Sequence, residues 1–434
     1  MKRDIISKLI EWKDKKNRQP LILTGARQVG KTWAMKEFGD TNFRKKAYIL
    51  LDNNPNMEKL FENSVRPHEL LPFLNAEAGV EIDSDTLVIF DEIQEVPKAL
   101  TALKYFYEER PDIPIVAAGS TLGVSLHNGV SFPVGKVEFM TLHPMSFAEF
   151  LDAISESQLR IAIETKNYVL LDSFHEKLIG LVKQYMLVGG MPAVVSEFVQ
   201  TQALGEVRKI QKKILKSYKK DFSKYTNPEM ATKLGLLWDS IPAQLSKENK
   251  KFLYGAVKTG ARARDFEVAI QWLVDSSLVH KVGRISNPAL PLKSYEEFGM
   301  FKMFLHDIGL LCAMSGVSDK IILEANSIFK EFKGALVEQF ICQELLTVEE
   351  DIFYWSIENS QAEIDFLIQR DDKIIPIEVK SGINLQAKSL KLYIEKFKPE
   401  TALRVSQANY KVTDNVIDLP IYAFRSWFLS VKGT

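Results

Sequence analysis

Gly25 to Thr32 read GARQVGKT, a G-x-x-x-x-G-K-[ST] octet, preceded by the apolar run Leu21-Ile22-Leu23 and followed by the helix-forming Trp33-Ala34-Met35-Lys36-Glu37. An apolar strand, a glycine-bounded turn and a helix start, in that order, describe a phosphate-binding loop. Gly25 and Gly30 permit backbone conformations closed to other residues, so the N–H groups of Ala26, Arg27, Gln28 and Val29 can point inward at a phosphate. The positive end of the helix that opens around Trp33 adds to that field. Lys31 would neutralise β- and γ-phosphate charge, and the Thr32 hydroxyl would ligate Mg²⁺.

Working outward, Thr86 to Glu92 read TLVIFDE, four consecutive apolar residues ending in two acids. Such a run is expected of a parallel strand buried on both faces. Asp91 at its carboxyl end is placed to hold the Mg²⁺ shell, and Glu92 to polarise an attacking water. Further short apolar runs, Ala47 to Leu51, Ile113 to Ala118 and Val137 to Thr141, alternate with amphipathic helical stretches. The alternation predicts an α/β region over 1–150, a mostly parallel sheet with helices on both faces. Ser120, at the end of the fourth run, reads equally as a γ-phosphate sensor and as a turn residue.

Composition sets outer limits. The chain has 434 residues, more than one hydrophobic core usually serves. Its 56 basic and 56 acidic residues cancel, so a nucleic-acid surface would have to come from local segregation of charge. No apolar stretch approaches the length of a membrane span. The N-terminal Ile5, Ile6, Leu9, Ile10 and Trp12 fall at helical spacing among charges, unlike a signal peptide. Two cysteines, Cys312 and Cys342, offer neither a disulfide framework nor a zinc site and read as buried apolar residues of a cytoplasmic protein.

From 151 to 240 the period turns helical, broken at Gly189-Gly190-Met191-Pro192. Arg208, Lys209, Lys212, Lys213, Lys216, Lys219 and Lys220 crowd one stretch there, either as a solvated face or as a phosphate-contacting one. Over 241–300, a helix at Lys247 to Lys258, a helix at Ala263 to Asp275 and an alternating run from Leu278 to Val282 suggest a winged-helix unit, with Lys250, Lys251, Lys258, Arg262 and Arg264 as basic decoration.

The last region, 301–434, carries a second constellation. Glu363 to Ile368 and Ile374 to Lys380 predict two strands joined by a charged turn. Glu378 and Lys380 share a face by the two-residue repeat. Asp365 and Glu378 can converge on one divalent cation, with Lys380 beside them to orient water. Glu338, on the amphipathic helix Ala335 to Leu346, would join as a fourth member. The same pattern also suits an ordinary sheet edge with ion pairs.

Together with HPMSFAEF (143–150), LVGGMPAVV (187–195), FKMFLHDIGLL (301–311) and AEIDFLI…IEVKSG (362–382), these motifs resemble a group of bacterial and archaeal AAA-type ATPases. In that family the ATPase is followed by a helical and winged-helix segment and a C-terminal domain similar to the PD-(D/E)XK nucleases, including Holliday-junction resolvases. The resemblance implies a 5-1-4-3-2 strand order, ATP with Mg²⁺ at the first site, and Mg²⁺ or Mn²⁺ at a restriction-endonuclease-like second. By position it implies that Gly25, Gly30, Lys31 and Thr32 form the phosphate loop, Asp91 and Glu92 the second motif, and Ser120 the polar sensor. Asp365, Glu378 and Lys380 match the nuclease signature, with Glu338 as its helical acid. Where relatives carry an arginine this chain has Lys136, which lacks a bidentate grip on phosphate. The implied partners are DNA, a further copy of the chain or another protein. The alternative to a DNA-cutting ATPase is a nucleotide-dependent switch whose nuclease-like domain is an inactive scaffold.

Overall fold

The computed structural model of the protein describes residues 1–119, 135–247, 250–317, 330–348, 351–358, 360–382 and 387–430. They divide into two compact units, one made of 1–143 with 271–278 and the other of 144–270 with 279–434. Among the described residues no helix is long and apolar enough to cross a membrane.

The first unit is built on β1 (Leu21–Thr24), β2 (Lys45–Leu50), β3 (Thr86–Asp91), β4 (Ile115–Ala118) and β5 (Glu138–Thr141). All pair in parallel, in the order β5-β1-β4-β3-β2, which is the order implied by the resemblance. The apolar run ending in Asp91 forms the interior strand β3, whose residues are all buried. Phe90 on that strand meets Phe61 edge to face with ring centres 5.9 Å apart. A parallel strand covered on both faces has no solvent side, so its sequence does not alternate. The loop after β1 and the acids after β3 lie at carboxyl ends of the sheet, where open α/β sheets bind ligands.

In the second unit a helical segment precedes the eight strands found among the described residues: β6 (Val279–Ile285), β7 (Glu296–Leu305), β8 (Phe353–Ser356), β9 (Glu363–Arg370), β10 (Lys373–Val379), β11 (Ala402–Ser406), β12 (Lys411–Thr413) and β13 (Val416–Pro420). Their order is β12-β13-β11-β10-β9-β8-β6-β7. The expected hairpin is present as β9 and β10, antiparallel and closed by Asp371 at φ +51. The expected helix lies within Lys330–Leu346, but it is not amphipathic: 335 to 345 are buried all round, because its polar residues Glu338, Gln339, Gln343 and Glu344 find partners inside the unit.

One expectation is corrected. Residues 247 to 258 do not form a continuous helix; only Tyr254–Val257 is helical, while 248 and 249 lie outside the described residues. Phe252 is drawn off helical geometry because its ring stacks on Phe301, 5.1 Å between centres, and its N–H donates to the Phe301 carbonyl. Gln244 then fixes Leu253, accepting from its N–H at 3.1 Å and donating to its carbonyl at 2.9 Å. The helix Ala263–Asp275 and the following strand form as expected, but β6 also pairs in parallel with β8 and belongs to the larger sheet.

The motifs at 143–150, 187–195 and 301–311 meet in one buried polar network of this unit. Ser146 and Glu149 close a capping box on the helix Phe147–Ala153. Asp307 caps the helix Ile308–Met314 through Leu310 N–H at 2.9 Å and accepts from Gly190 N–H at 2.6 Å. Gln339 brackets Leu305, accepting from its N–H at 3.0 Å and donating to its carbonyl at 2.6 Å. Gln343 accepts from Ile308 N–H and donates to the Tyr185 hydroxyl, which donates to the Met145 carbonyl. A Cβ at Gly190 would overlap the Met145 backbone, which is why glycine stands there. These motifs hold the unit together; each buried donor or acceptor finds a partner that would cost roughly 1–3 kcal/mol to lose.

Candidate functional site

The octet forms a tight cradle between β1 and the helix Lys31–Asn42. Gly25 has φ +133, where a Cβ would overlap the Leu142 carbonyl, and Gly30 has φ +99 as the left-handed N-cap. Gln28, at φ +70, also takes a left-handed conformation. Val29 anchors the loop with its buried side chain, and Arg3 donates to its carbonyl at 2.9 Å. Ala26 is buried, whereas Arg27, Gln28 and Trp33 are exposed.

Lys31 is buried and folds back onto the loop, its Nζ 2.7 Å from the Gly25 carbonyl and 3.0 Å from that of Ala26. Burial lowers its pKa to about 8, against the opposing pull of Glu92 and Asp91. Thr32 Oγ1 donates to Asp91 Oδ2 at 2.7 Å, so the two expected magnesium ligands touch. Sequence reasoning did not find the third member, Tyr48 on β2, whose hydroxyl donates to the same Asp91 oxygen at 2.9 Å. Burial first, and then the Asp91 charge and hydrogen bond, raise its pKa. Its signal was a tyrosine in a parallel strand two register positions from the acidic end, which looks like any core aromatic.

Glu92 adopts φ +54, and Gln94 Nε2 donates to its Oε2 at 2.6 Å. A non-glycine residue in that region is strained, and such strain gathers at sites that need a fixed side-chain direction. Lys136 lies 3.5 Å from Glu108 and 5.3 Å from the centre of the Tyr107 ring. Ser120 lies outside the described residues.

The second constellation also comes together, with company that the motif did not announce. Glu338 pairs with Lys250. Lys302 on β7, with no exposed surface, lies 2.5 Å from Glu363, 3.7 Å from Glu338 and 4.0 Å from Asp365. Lys380 pairs with Glu378 at 2.6 Å, and Asp365 Oδ2 accepts from Val379 N–H at 2.7 Å. Burial and the neighbouring Glu338 and Glu378 charges raise Asp365 well above the carboxylate range. Burial would also raise Glu338, but Lys250 and Lys302 pull it below. Lys302 is raised because its three acids outweigh its burial.

This set does not fit the divalent cation implied by the resemblance. Among the described residues no group of three or more histidine, cysteine, aspartate or glutamate side chains is arranged to hold a metal ion. Lysine ammonium groups occupy the carboxylate oxygens instead. Lys250, expected as surface decoration, is part of this buried cluster.

Residues 17–151 match the AAA domain. Residues 179–321 and 333–424 match two domains of unknown function, DUF8612 and DUF4143. No curated protein matches the chain. Among solved structures, the Walker-type ATPase paby2304 of Pyrococcus abyssi is 14% identical over 72% of this chain and 95% of its own, with a TM-score of 0.45. The Aeropyrum pernix ORC1 protein in complex with DNA is 12% identical over 72% of this chain and 90% of its own, at a TM-score of 0.26. The parallel five-stranded sheet, the phosphate loop and the match over residues 17–151 support an AAA-type P-loop ATPase fold for the first region.

Proposed function

We propose that the protein binds ATP on the Gly25–Thr32 loop and hydrolyses it with Glu92 as the base. The observation that carries this reading is the direct contact of Thr32 with Asp91 beside a buried Lys31. Thr32 and Asp91 would hold Mg²⁺, which neutralises phosphate charge when bound. Lys31 must exchange its two carbonyl bonds for phosphate oxygens, and the backbone of Ala26 to Gly30 supplies oriented donors. Gln94 holds Glu92 in place toward an attacking water. Lys31→Ala should remove ATP binding as read by calorimetry; undiminished binding in that variant would refute the assignment.

DNA is the partner class we assign to the rest of the chain. The helix Leu204–Tyr225 buries Val207, Ile214, Tyr218 and Phe222 and exposes Lys209, Lys212, Lys213, Lys216, Lys219 and Lys220. Lys258, Arg262 and Arg264 are exposed around the start of the winged-helix-like helix. Such faces can track phosphates without sequence preference, so binding should weaken steeply with salt. A binding constant for duplex DNA that does not change with salt would refute it.

The lysine-filled cluster around Asp365 favours the switch over the metal-dependent cutter: hydrolysis at the AAA domain would govern binding by a nuclease-derived domain that does not itself cleave. Incubation of duplex, branched and single-stranded DNA with the protein and Mn²⁺ tests it, and Asp365-dependent nicking would overturn it.

A further inference from the structure

We propose that Lys302 is a built-in cation, holding by its own ammonium group the carboxylates that a divalent metal ion gathers in a metal-dependent nuclease. This rests on the nuclease-derived reading of Glu338, Asp365 and Glu378, and is independent of the ATP site.

The charges nearly close without a metal. Four carboxyl groups, from Glu338, Glu363, Asp365 and Glu378, face three lysines, Lys250, Lys302 and Lys380. Three ammonium ions leave at most one acid without a matching charge. An added divalent cation would leave the cluster positive inside a buried site, where an uncompensated charge is costly.

Position agrees with charge. Lys302 reaches the cluster from β7, is completely buried, and lies over the Tyr354 ring at 5.0 Å from its centre. It has no solvent to point into, so it cannot swing away as a surface lysine would when a cation arrives. Glu338 Oε2 and Glu378 Oε2 are buried with no hydrogen-bond partner, so the cluster retains two unsatisfied hard oxygens toward which a cation would be drawn once the lysine charge is gone.

The test uses the full-length protein without nucleotide and reads Mn²⁺ binding by electron paramagnetic resonance, with thermal melting alongside. The parent should bind no stoichiometric Mn²⁺ that depends on Asp365. Lys302→Met, similar in length and uncharged, should bind one Mn²⁺, gain melting temperature on its addition, and lose both properties when combined with Asp365→Asn. Because deleting a buried ammonium can unfold a chain, Lys302→Gln, which keeps a donor toward Glu363, is measured in parallel. Asp365-dependent Mn²⁺ binding by the parent overturns the inference while supporting a metal-site lineage, and this arm needs no Lys302 variant. Folded Lys302 variants that bind no Mn²⁺ overturn both the inference and that lineage.

Discussion

Raising the pH should weaken ATP binding through Lys31 alone. In the free protein its ammonium is buried and held by two backbone carbonyls, and burial lowers its pKa to about 8. Phosphate oxygens add negative charge beside it, so the bound form keeps the proton to higher pH. Binding above about pH 8 therefore takes up a proton, whereas binding below about pH 7 does not. One pH unit above the free value only about one molecule in ten still carries the charge, a loss of about tenfold in affinity or 1.4 kcal/mol. Titration calorimetry between pH 6.5 and 9.5 at fixed ionic strength measures the slope, and paired buffers of different ionisation enthalpy count the proton directly. The terminal phosphate is ionised throughout the upper range, since its second pKa is about 6, so the ligand adds no slope of its own. Lys31→Arg keeps a permanent charge and should flatten the profile. Constant affinity across the range in the parent, or the same slope in Lys31→Arg, would refute the reasoning.

Three further outcomes follow from the same geometry. Glu92→Gln should retain ATP while turnover falls by about 100-fold or more, the scale of a lost general base; parental turnover in a phosphate-release assay would displace Glu92 from that role. Gly190→Ala forces a Cβ into the Met145 backbone and should destabilise the second unit by several kcal/mol in urea titration, while the AAA domain keeps its nucleotide affinity. Asp307, buried, has its pKa raised to about 6. The folded state then holds the proton more tightly than the unfolded one, so this contribution is full below about pH 4 and lost as pH rises through 6. The urea midpoint should fall across that window in the parent, and Asp307→Asn should remove that component of the slope.

What could be read from the sequence was whatever is local in the chain. The octet at Gly25–Thr32 dictates its own turn, and TLVIFD dictates a strand buried on both faces, so the phosphate cradle and its facing acid were visible before any coordinates. The hairpin carrying Asp365 and Glu378 was equally legible from alternation and a charged turn. Long-range pairing was not. Tyr48 reaches Asp91 from 43 residues away, and Lys302 reaches Glu338, Glu363 and Asp365 from another strand. Nothing in the composition around either residue distinguishes it from a core tyrosine or an edge lysine. The stretch 247–258 shows the same limit from the other side: its local pattern favours a helix, and one stacking contact with Phe301 on a remote strand overrides it. The weight of these contacts also differs between the two sites. Adding Tyr48 to Thr32 and Asp91 leaves the nucleotide chemistry as the motif implies, because a neutral hydroxyl only orients the acid. Adding Lys302 to Asp365 changes the chemistry, because a buried positive charge and a divalent cation compete for the same oxygens. A motif of acids and one lysine therefore specifies a metal site only when the lysines outside the motif are known, and here they are the residues that decide.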